Sequence, residues 1–264
     1  VRSVTENDIG LKVLREAPAG ADQIIDIVAV HGIGAHPDDS WCKNVGTPER
    51  PQWVNWLEKE DMLPAVALHA RIMRYGYQSQ WFGEGAVRQN ASTVACRLLL
   101  ALKRKREEYR FRPLIFVAHC FGGLVVIKAL VDARHDQGEW PGILTSTTGL
   151  IFFGTPFRGA GGMSQVEMLE AAWREYQEDE VQPEVLKTLE PENEFLQDVV
   201  DEFGKTRKEA NRAQVACFYE LKSSNVGNMV GKESRTVCSV EGYMPCSKLT
   251  AIAEICGERE FWLH

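Results

Sequence analysis

Apolar runs alternate with segments of helical spacing along most of the chain, and this alternation predicts the order of its elements. Residues 23–30 form a nearly continuous apolar run, as expected for a strand buried on both faces of a parallel sheet. The patterns at residues 70–77 and 214–220 predict two further strands. A helix is predicted over residues 51–61, with Trp53, Trp56 and Leu57 on one face. A longer helix is predicted from residue 86 to about residue 109, and its basic end, Lys103-Arg-Lys-Arg106, is explained by favourable interaction with the helix macrodipole.

The segment from residue 113 to residue 128 predicts a strand joined to a helix by a sharp turn. An apolar, β-branched stretch ends at residues 118–122, and a second apolar stretch at helical spacing follows at once. This is the context of a nucleophile elbow, whose usual pattern is G-x-S-x-G. Here Ala118 replaces the first glycine and Cys120 replaces the serine. An elbow residue has a strained backbone, so its neighbours must be small, and Ala118 and Gly122 satisfy that requirement.

The remaining pattern predicts the fold class. A strand is expected over residues 148–154, and a strongly charged helical insertion over residues 163–210, covering one end of the sheet. Strands that alternate with helices indicate βαβ crossovers and a mostly parallel sheet. Together with the elbow, this order predicts an α/β-hydrolase fold with helices on both faces of the sheet. We expect a flexible lead-in at residues 1–20, an α/β-hydrolase domain at residues 21–240 and a divergent tail at residues 241–264.

Composition narrows the functional classes. The chain has 264 residues, 44% of them hydrophobic, which suits one α/β domain with a large core. Its formal net charge of −7 argues against nucleic-acid binding. No apolar stretch approaches the roughly 20 residues of a membrane span, and no signal peptide is expected. The seven cysteines are odd in number and form no C-x-x-C pair, so a reducing, cytoplasmic location is expected, without disulfides or zinc.

Cys120 is the predicted nucleophile. Open α/β sheets place their ligands at the ends of parallel strands, and the N-terminus of a helix stabilises a thiolate. The alternative interpretation is a buried structural cysteine, because cysteine is among the most frequently buried residue types.

The motif His31-Gly32-Ile33-Gly34 ends the first clear strand. In the hydrolase fold this loop supplies one oxyanion donor, and the residue after the nucleophile supplies the other. The backbone N–H groups of Ile33 and Phe121 are therefore the predicted oxyanion hole. The alternative is an ordinary glycine turn.

The acid and the base are predicted from chain order, which in this fold runs nucleophile, acid, histidine. Glu220 ends a late strand and is the predicted acid, although a strand-end carboxylate in a surface salt bridge is the alternative. Only His135 and His264 follow the elbow. His135 lies about 22 Å along the elbow helix from Cys120, so His264 is the predicted base. Strand alternation predicts that His119 points away from Cys120.

Four blocks, in this order, carry a resemblance to a known family: Ile27-Val-Ala-Val-His-Gly-Ile-Gly-Ala-His-Pro37, Ala118-His-Cys-Phe-Gly-Gly-Leu-Val125, Phe152-Phe-Gly-Thr-Pro-Phe-Arg-Gly159 and Phe218-Tyr-Glu220. They resemble the SesB-like α/β-hydrolase domains, which lie at the N-terminus of fungal NLR-type (NACHT or NB-ARC) proteins and are related to the SERAC1 and DUF676 lipase-like group. The resemblance covers about residues 21–231. It implies an ester- or lipid-directed hydrolase that acts in self/non-self recognition or regulated cell death, and cysteine at the nucleophile position is familiar among fungal members.

The chain departs from that family after about Gly231. Members follow the acid strand with a last strand and a Ser/Thr-His-Phe-like loop that carries the base, and the tail of this chain has no such loop. Residues 235–240 are a candidate last strand, and residues 247–255 a candidate terminal helix.

Three functional hypotheses remain open. The first is a cysteine-nucleophile hydrolase of carboxylic esters, thioesters or lipids that needs no metal or organic cofactor. The second is a non-catalytic signalling module of an NLR-type receptor, with a fused or partner nucleotide-binding (NACHT or NB-ARC) domain. The third is a transacylase that uses the same site. A lipase-like domain allows membrane contact, but no amphipathic stretch requires it.

Overall fold

A computed structural model describes residues 2–21, 23–47, 49–80, 90–157, 193–209, 213–220 and 260–263. Seven strands form its main sheet: β1 (Gly10–Arg15), β2 (Ile25–Val30), β5 (Ala70–Gly76), β6 (Leu114–His119), β7 (Thr147–Phe153), β8 (Gln214–Glu220) and β9 (Glu260–Leu263). Two short strands, β3 (Cys42–Asn44) and β4 (Trp53–Asn55), pair as a separate hairpin.

Five α-helices lie within the described residues: α1 (Leu63–Val66), α2 (Ala91–Lys105), α3 (Phe121–His135), α4 (Ile143–Ser146) and α5 (Glu194–Glu209). None of these helices is long and apolar enough to cross a bilayer. Helix α5 lies within the segment predicted to be a helical insertion, whereas residues 163–192 of that segment lie outside the described residues.

The order of the strands places a crevice beside the predicted nucleophile. The sheet runs β1-β5-β2-β6-β7-β8-β9, and every neighbouring pair is parallel except β1 with β5. The chain leaves β2 toward β5 on one side, and leaves β6 toward β7 on the other. The loops after β2 and β6 therefore diverge, and open α/β sheets bind their ligands at such a switch point.

The central strands are buried on both faces, which explains their continuous apolar runs. In β2, Val28 and Val30 pack with α2 and α3, whereas Ile27 and Ala29 face the opposite side. Helix α3 buries eleven of its 15 residues, as expected for a helix that is apolar around most of its circumference. The second face of the sheet is covered by the segment from Trp41 to Ala67, which includes α1.

The prediction of a flexible lead-in at residues 1–20 is wrong for its second half. Residues 10–15 form β1, which pairs antiparallel with β5 at the edge of the sheet. Leu11 and Val13 pack against the core that contains α2 and α3, and Leu14 packs against the other core. This polar-looking segment becomes a strand because β5 offers it an unpaired edge, and no local pattern reveals that partner.

The predicted helix over residues 51–61 is also wrong, because this segment contains β4 and turns. The Asn55 side chain accepts a hydrogen bond from the N–H of Leu57 at 3.0 Å, which is a local alternative to helical pairing. The N–H of Trp56 donates to the carbonyl of Trp41. Trp53 remains 66% exposed, so the tryptophans do not form the single helical face that their spacing suggested.

The basic end of α2 has a structural role that helix electrostatics alone did not predict. Arg106 is buried and donates from Nε to Oδ2 of the fully buried Asp26 at 2.9 Å. Arg71 binds both oxygens of Asp26 at 2.9 Å, and Arg112 reaches Oδ1 at 3.3 Å. Three guanidinium groups therefore converge on one carboxylate at the amino ends of the central strands.

Part of the predicted tail belongs to the sheet. Strand β9 lies within residues 241–264 and pairs parallel with β8. The predicted last strand at residues 235–240 and the predicted terminal helix at residues 247–255 lie outside the described residues.

Candidate active site

Cys120 has the backbone conformation of a nucleophile elbow. Its φ of +50° and ψ of −125° make it the sole non-glycine residue with positive φ in the described part of the chain. Such a conformation costs about 1–3 kcal/mol and persists only where the surroundings hold it. The N–H of Cys120 donates to the carbonyl of Phe153 in β7 at 2.8 Å, and its own carbonyl accepts from Gly123 at 3.0 Å.

Close approach of two backbones explains the small residue at position 122. A Cβ on Gly122 would lie 2.4 Å from the carbonyl oxygen of His31 and 2.5 Å from that of Val30. Both of these oxygens belong to the backbone and cannot move aside as a flexible side chain would. The first turn of α3 therefore lies directly against the end of β2, as the requirement for small neighbours predicted.

The loop after β2 lies beside the nucleophile. A Cβ on Gly32 would be 2.9 Å from the Cβ of Cys120 and 3.0 Å from Nδ1 of His119. His119 therefore borders the same loop as Cys120, whereas strand alternation predicted that it points away. The reason is that the elbow reverses the chain direction immediately after His119, so the period of two ends there.

The two predicted oxyanion donors lie on either side of the contact between the Gly32 loop and Cys120. Ile33 follows Gly32 in the loop, and Phe121 is the first residue of α3. Within the described residues, neither backbone N–H has a hydrogen-bond acceptor, whereas the next N–H in the loop, that of Gly34, donates to the carbonyl of Ser79 at 2.8 Å. The arrangement leaves two backbone donors available near the elbow. Their role in catalysis remains a prediction.

His31 is a neutral structural residue. It is fully buried, and its ring stacks on that of Tyr77 with the centroids 4.2 Å apart. Its Nε2 accepts the N–H of Tyr77 at 3.2 Å, which leaves the proton on Nδ1, 3.0 Å from the carbonyl oxygen of Gly32. Burial lowers the pKa of His31 to about 3, so the imidazole is uncharged at neutral pH.

His135 lies where the helix geometry predicted. It is the last residue of α3, and Cys120 immediately precedes the first residue of that helix. Its Nε2 lies 3.4 Å from Oε1 of Glu202, and its side chain is 58% exposed. His135 is therefore far from the elbow and belongs to a surface ion-pair group.

The backbone of Glu220, the predicted acid, lies at the same edge of the sheet as Cys120. In the register of the sheet, His119 pairs with Phe153, and Phe153 pairs with Phe218. Glu220 therefore ends β8 two residues beyond this row, at the same carboxyl edge as Cys120. Its backbone is described, but its side chain is outside the described structure, so its role remains a prediction.

The predicted base, His264, lies outside the described residues. The residue before it, Leu263, pairs with Glu220 in the register of β9 with β8. The end of β9 thus reaches the same edge of the sheet as the end of β8. The role of His264 as the base stays a prediction.

A cluster that the sequence analysis missed follows the loop. Ligand atoms of Asp8, His36 and Asp38 lie within 4.8 Å of one another, but two arginines already occupy these groups. Arg2 donates from Nε to Nε2 of His36 at 2.9 Å, and Arg74 donates from Nε to Oδ1 of Asp38 at 2.8 Å. We interpret it as an ion-pair network that anchors residues 36–38. Each of these two hydrogen bonds joins residues more than thirty positions apart in the chain, so no local motif could reveal them.

Comparisons with known proteins agree with this architecture. SERAC1 of Danio rerio is 28% identical over 145 residues, which cover 51% of this chain and 22% of that protein. SERAC1 of Bos taurus is 31% identical over 122 residues, which cover 45% of this chain and 17% of that protein. The chain thus spans only about a fifth of the length of these relatives. No protein-family model matches the chain.

Two solved structures share its fold at low sequence identity. Bacillus licheniformis lipase BlEst2 in mature form has a TM-score of 0.50 at 15% identity, and the match covers 83% of this chain and 75% of that one. Phospholipase PlaB from Legionella pneumophila has a TM-score of 0.52 at 15% identity, covering 78% of this chain and 41% of that one. Together with the mostly parallel sheet and the strand–elbow–helix unit, these likenesses confirm the predicted fold: the chain has an α/β-hydrolase fold.

Proposed function

We propose that this protein hydrolyses carboxylic esters, thioesters or lipids with Cys120 as the nucleophile. The observation that carries the proposal is the strained elbow conformation of Cys120, at the switch point of the sheet and against the Gly32 loop. Strain of this kind is retained where the surrounding structure over-determines it, and such positions cluster at active sites.

The proposed reaction has two steps. The Cys120 thiolate adds to the acyl carbonyl carbon, and the resulting oxyanion accepts hydrogen bonds from the N–H groups of Ile33 and Phe121. The intermediate collapses and expels the alcohol or thiol, which takes its proton from the imidazolium of His264. His264 then deprotonates a water that attacks the thioester, releasing the carboxylic acid and restoring the thiol. Glu220 orients the imidazole and stabilises its charged form.

The proposal extends to the type of protein that contains this domain and to its biological role. The four sequence blocks support a SesB-like domain of a cytoplasmic fungal NLR-type protein, acting in self/non-self recognition or cell death with a fused or partner nucleotide-binding domain. The similarity to only a fifth of SERAC1 is compatible with one module of a larger assembly. The fold shared with a lipase and a phospholipase supports a lipid or other ester as the substrate class.

A second candidate function is a non-catalytic signalling module. The absence of a Ser/Thr-His-Phe-like loop after the acid strand favours it, because a thioester acyl-enzyme needs a base to activate water. In that case the fold would serve as an effector domain, and Cys120 would be a residual thiol.

Hydrolysis by the full chain distinguishes the two candidates. The substrates are p-nitrophenyl esters of increasing chain length, an acyl thioester and phosphatidylcholine vesicles. We expect Cys120→Ala to lower kcat/KM by at least about 100-fold on the accepted substrate. Cys96→Ala is the matched control, because Cys96 is an exposed cysteine on α2, away from the elbow. We expect it to leave the rate unchanged.

Two further comparisons complete the test. His264→Ala should abolish turnover, whereas His135→Ala, at the far end of α3, should not. Iodoacetamide should modify Cys120 faster than Cys96 at pH 7 if a thiolate is held at the elbow. A wild-type protein that cleaves none of these substrates, or a Cys120→Ala variant as active as wild type, would contradict the hydrolase and favour the signalling module.

A further inference from the structure

A short segment after β5 holds the loop that carries Ile33. We call residues 77–79 the clamp. Four hydrogen bonds join the clamp to residues 31–35. Tyr77 donates two of them, and Ser79 donates one and accepts one. Strand pairing between β2 and β5 has already ended at Val30 and Tyr75, so these bonds are not part of the sheet.

Tyr77 binds the loop on the N-terminal side of Ile33. Its hydroxyl donates to the carbonyl of His31 at 2.9 Å, and its backbone N–H donates to Nε2 of the same residue at 3.2 Å. The His31 ring thus supplies the acceptor that a neighbouring strand would otherwise offer to this buried N–H. Both residues are buried and their rings are stacked, so these bonds lie away from bulk solvent.

Ser79 binds the loop on the C-terminal side of Ile33. Its carbonyl accepts the N–H of Gly34 at 2.8 Å, and its hydroxyl donates to the carbonyl of Ala35 at 2.6 Å. Ser79 is itself buried. The peptide of Ile33 is therefore held between two pairs of hydrogen bonds, while its own N–H has no acceptor within the described residues.

We propose that Tyr77 and Ser79 are positioning residues that fix the Ile33 N–H as an oxyanion donor. This inference rests on the proposed function. A donor stabilises a developing oxyanion only if it is already aimed at the position that the charge will occupy. Functional groups of this kind must be held within about 0.5 Å of their productive geometry, and buried hydrogen bonds from a second segment provide that restraint.

The test compares two tyrosines of neighbouring position. Tyr77→Phe removes the hydroxyl that binds the loop and keeps the stacked ring. Tyr75→Phe is the matched control, because Tyr75 is as buried as Tyr77 but its hydroxyl donates to the carbonyl of Val94 in α2 at 3.3 Å. We expect Tyr77→Phe to lower kcat by about 10-fold to 100-fold with KM within twofold, and Tyr75→Phe to change neither. Ser79→Ala should behave as Tyr77→Phe does.

A second readout does not depend on turnover. Hydrogen exchange of peptides that contain residues 32–35 should be about fivefold faster in Tyr77→Phe than in wild type, the effect of losing one buried hydrogen bond, and unchanged in Tyr75→Phe. Unchanged exchange in the loop would overturn the clamp whatever the activity. Unchanged kcat, or a loss confined to KM, in an active enzyme would overturn its role in positioning the donor. If the wild type hydrolyses nothing, the proposed function fails, and the exchange measurement still decides whether the clamp exists.

Discussion

Gly32 leaves no room for a side chain beside Cys120: a Cβ on Gly32 would lie 2.9 Å from the Cβ of the predicted nucleophile. The same atom would lie 3.0 Å from Nδ1 of His119. The loop after β2 and the elbow after β6 are therefore in direct contact. The order of the motifs along the chain predicted that this loop and the elbow belong to one site, and these distances place them side by side.

This contact makes Gly32→Ala a test of the site that is separate from the nucleophile itself. The added methyl must push the loop away from Cys120, and a shift of about 1 Å can cost about 100-fold in rate. We therefore expect kcat/KM for the accepted ester to fall by about that factor while the thermal midpoint changes by only a few degrees.

Gly204→Ala is the control for that variant. Gly204 lies in α5, and a Cβ there would meet nothing within 4 Å. Activity should be unchanged, and the free energy of unfolding should rise by about 0.5–1 kcal/mol because alanine loses less backbone entropy in a helix. Full activity in Gly32→Ala would mean that the loop contributes nothing to the reaction.

Asp26 is expected to be a stability residue. It is fully buried, and Arg71, Arg106 and Arg112 bind it. Asp26→Asn would leave three guanidinium groups without their carboxylate, and breaking a buried ion pair typically costs about 3–5 kcal/mol. The measurement is the free energy of unfolding in urea. The exposed Lys59–Asp61 pair is the comparison, and Asp61→Asn should change stability by less than about 1 kcal/mol.

The same variant also separates stability from catalysis. Asp26 pairs with Leu114 at the start of β6, and Cys120 follows the end of that strand, about 20 Å away. We expect folded Asp26→Asn protein, assayed at low temperature, to retain the kcat of wild type. A selective loss of kcat with unchanged stability would show that the buried cluster acts on the active site.

His31 should make the fold sensitive to mild acid. Burial lowers its pKa in the folded state to about 3, whereas the ordinary value is 6.5. Between these values the unfolded chain binds a proton that the folded protein does not, so stability falls as the pH decreases from 6.5. The slope from this residue is about 1.4 kcal/mol per pH unit.

Urea unfolding at pH 7, 6 and 5 measures that slope. We expect His31→Gln to be less stable than wild type at pH 7. Between pH 6 and 5, its stability should fall less steeply than that of wild type, because it lacks the slope contributed by His31. Equal slopes in wild type and His31→Gln would refute the assignment of a buried neutral imidazole.

Local signals were sufficient for the elbow and for most of the sheet. β-branched runs predicted β2, β6 and β7, and small residues around Cys120 predicted a tight strand-to-helix turn, which its φ of +50° now describes. These predictions succeeded because a buried parallel strand and an elbow impose their requirements on consecutive residues. The helix predicted at residues 51–61 was wrong because apolar side chains at helical spacing can also belong to turns. Here Trp56 and Leu57 pack into the core from such turns.

The sequence by itself determined the α/β class, the chain order of the strands and the position of the candidate nucleophile, because each is written in adjacent residues. Only the tertiary structure decided that β1 joins the edge of β5, that Arg106 pairs with Asp26, and that Tyr77 holds His31. Tyr77 and His31 are 46 residues apart in the chain, and Arg106 and Asp26 are 80 residues apart. The physical reason is that a hydrogen bond or ion pair across such a separation depends on burial and mutual orientation, which exist only after the sheet has brought the segments together.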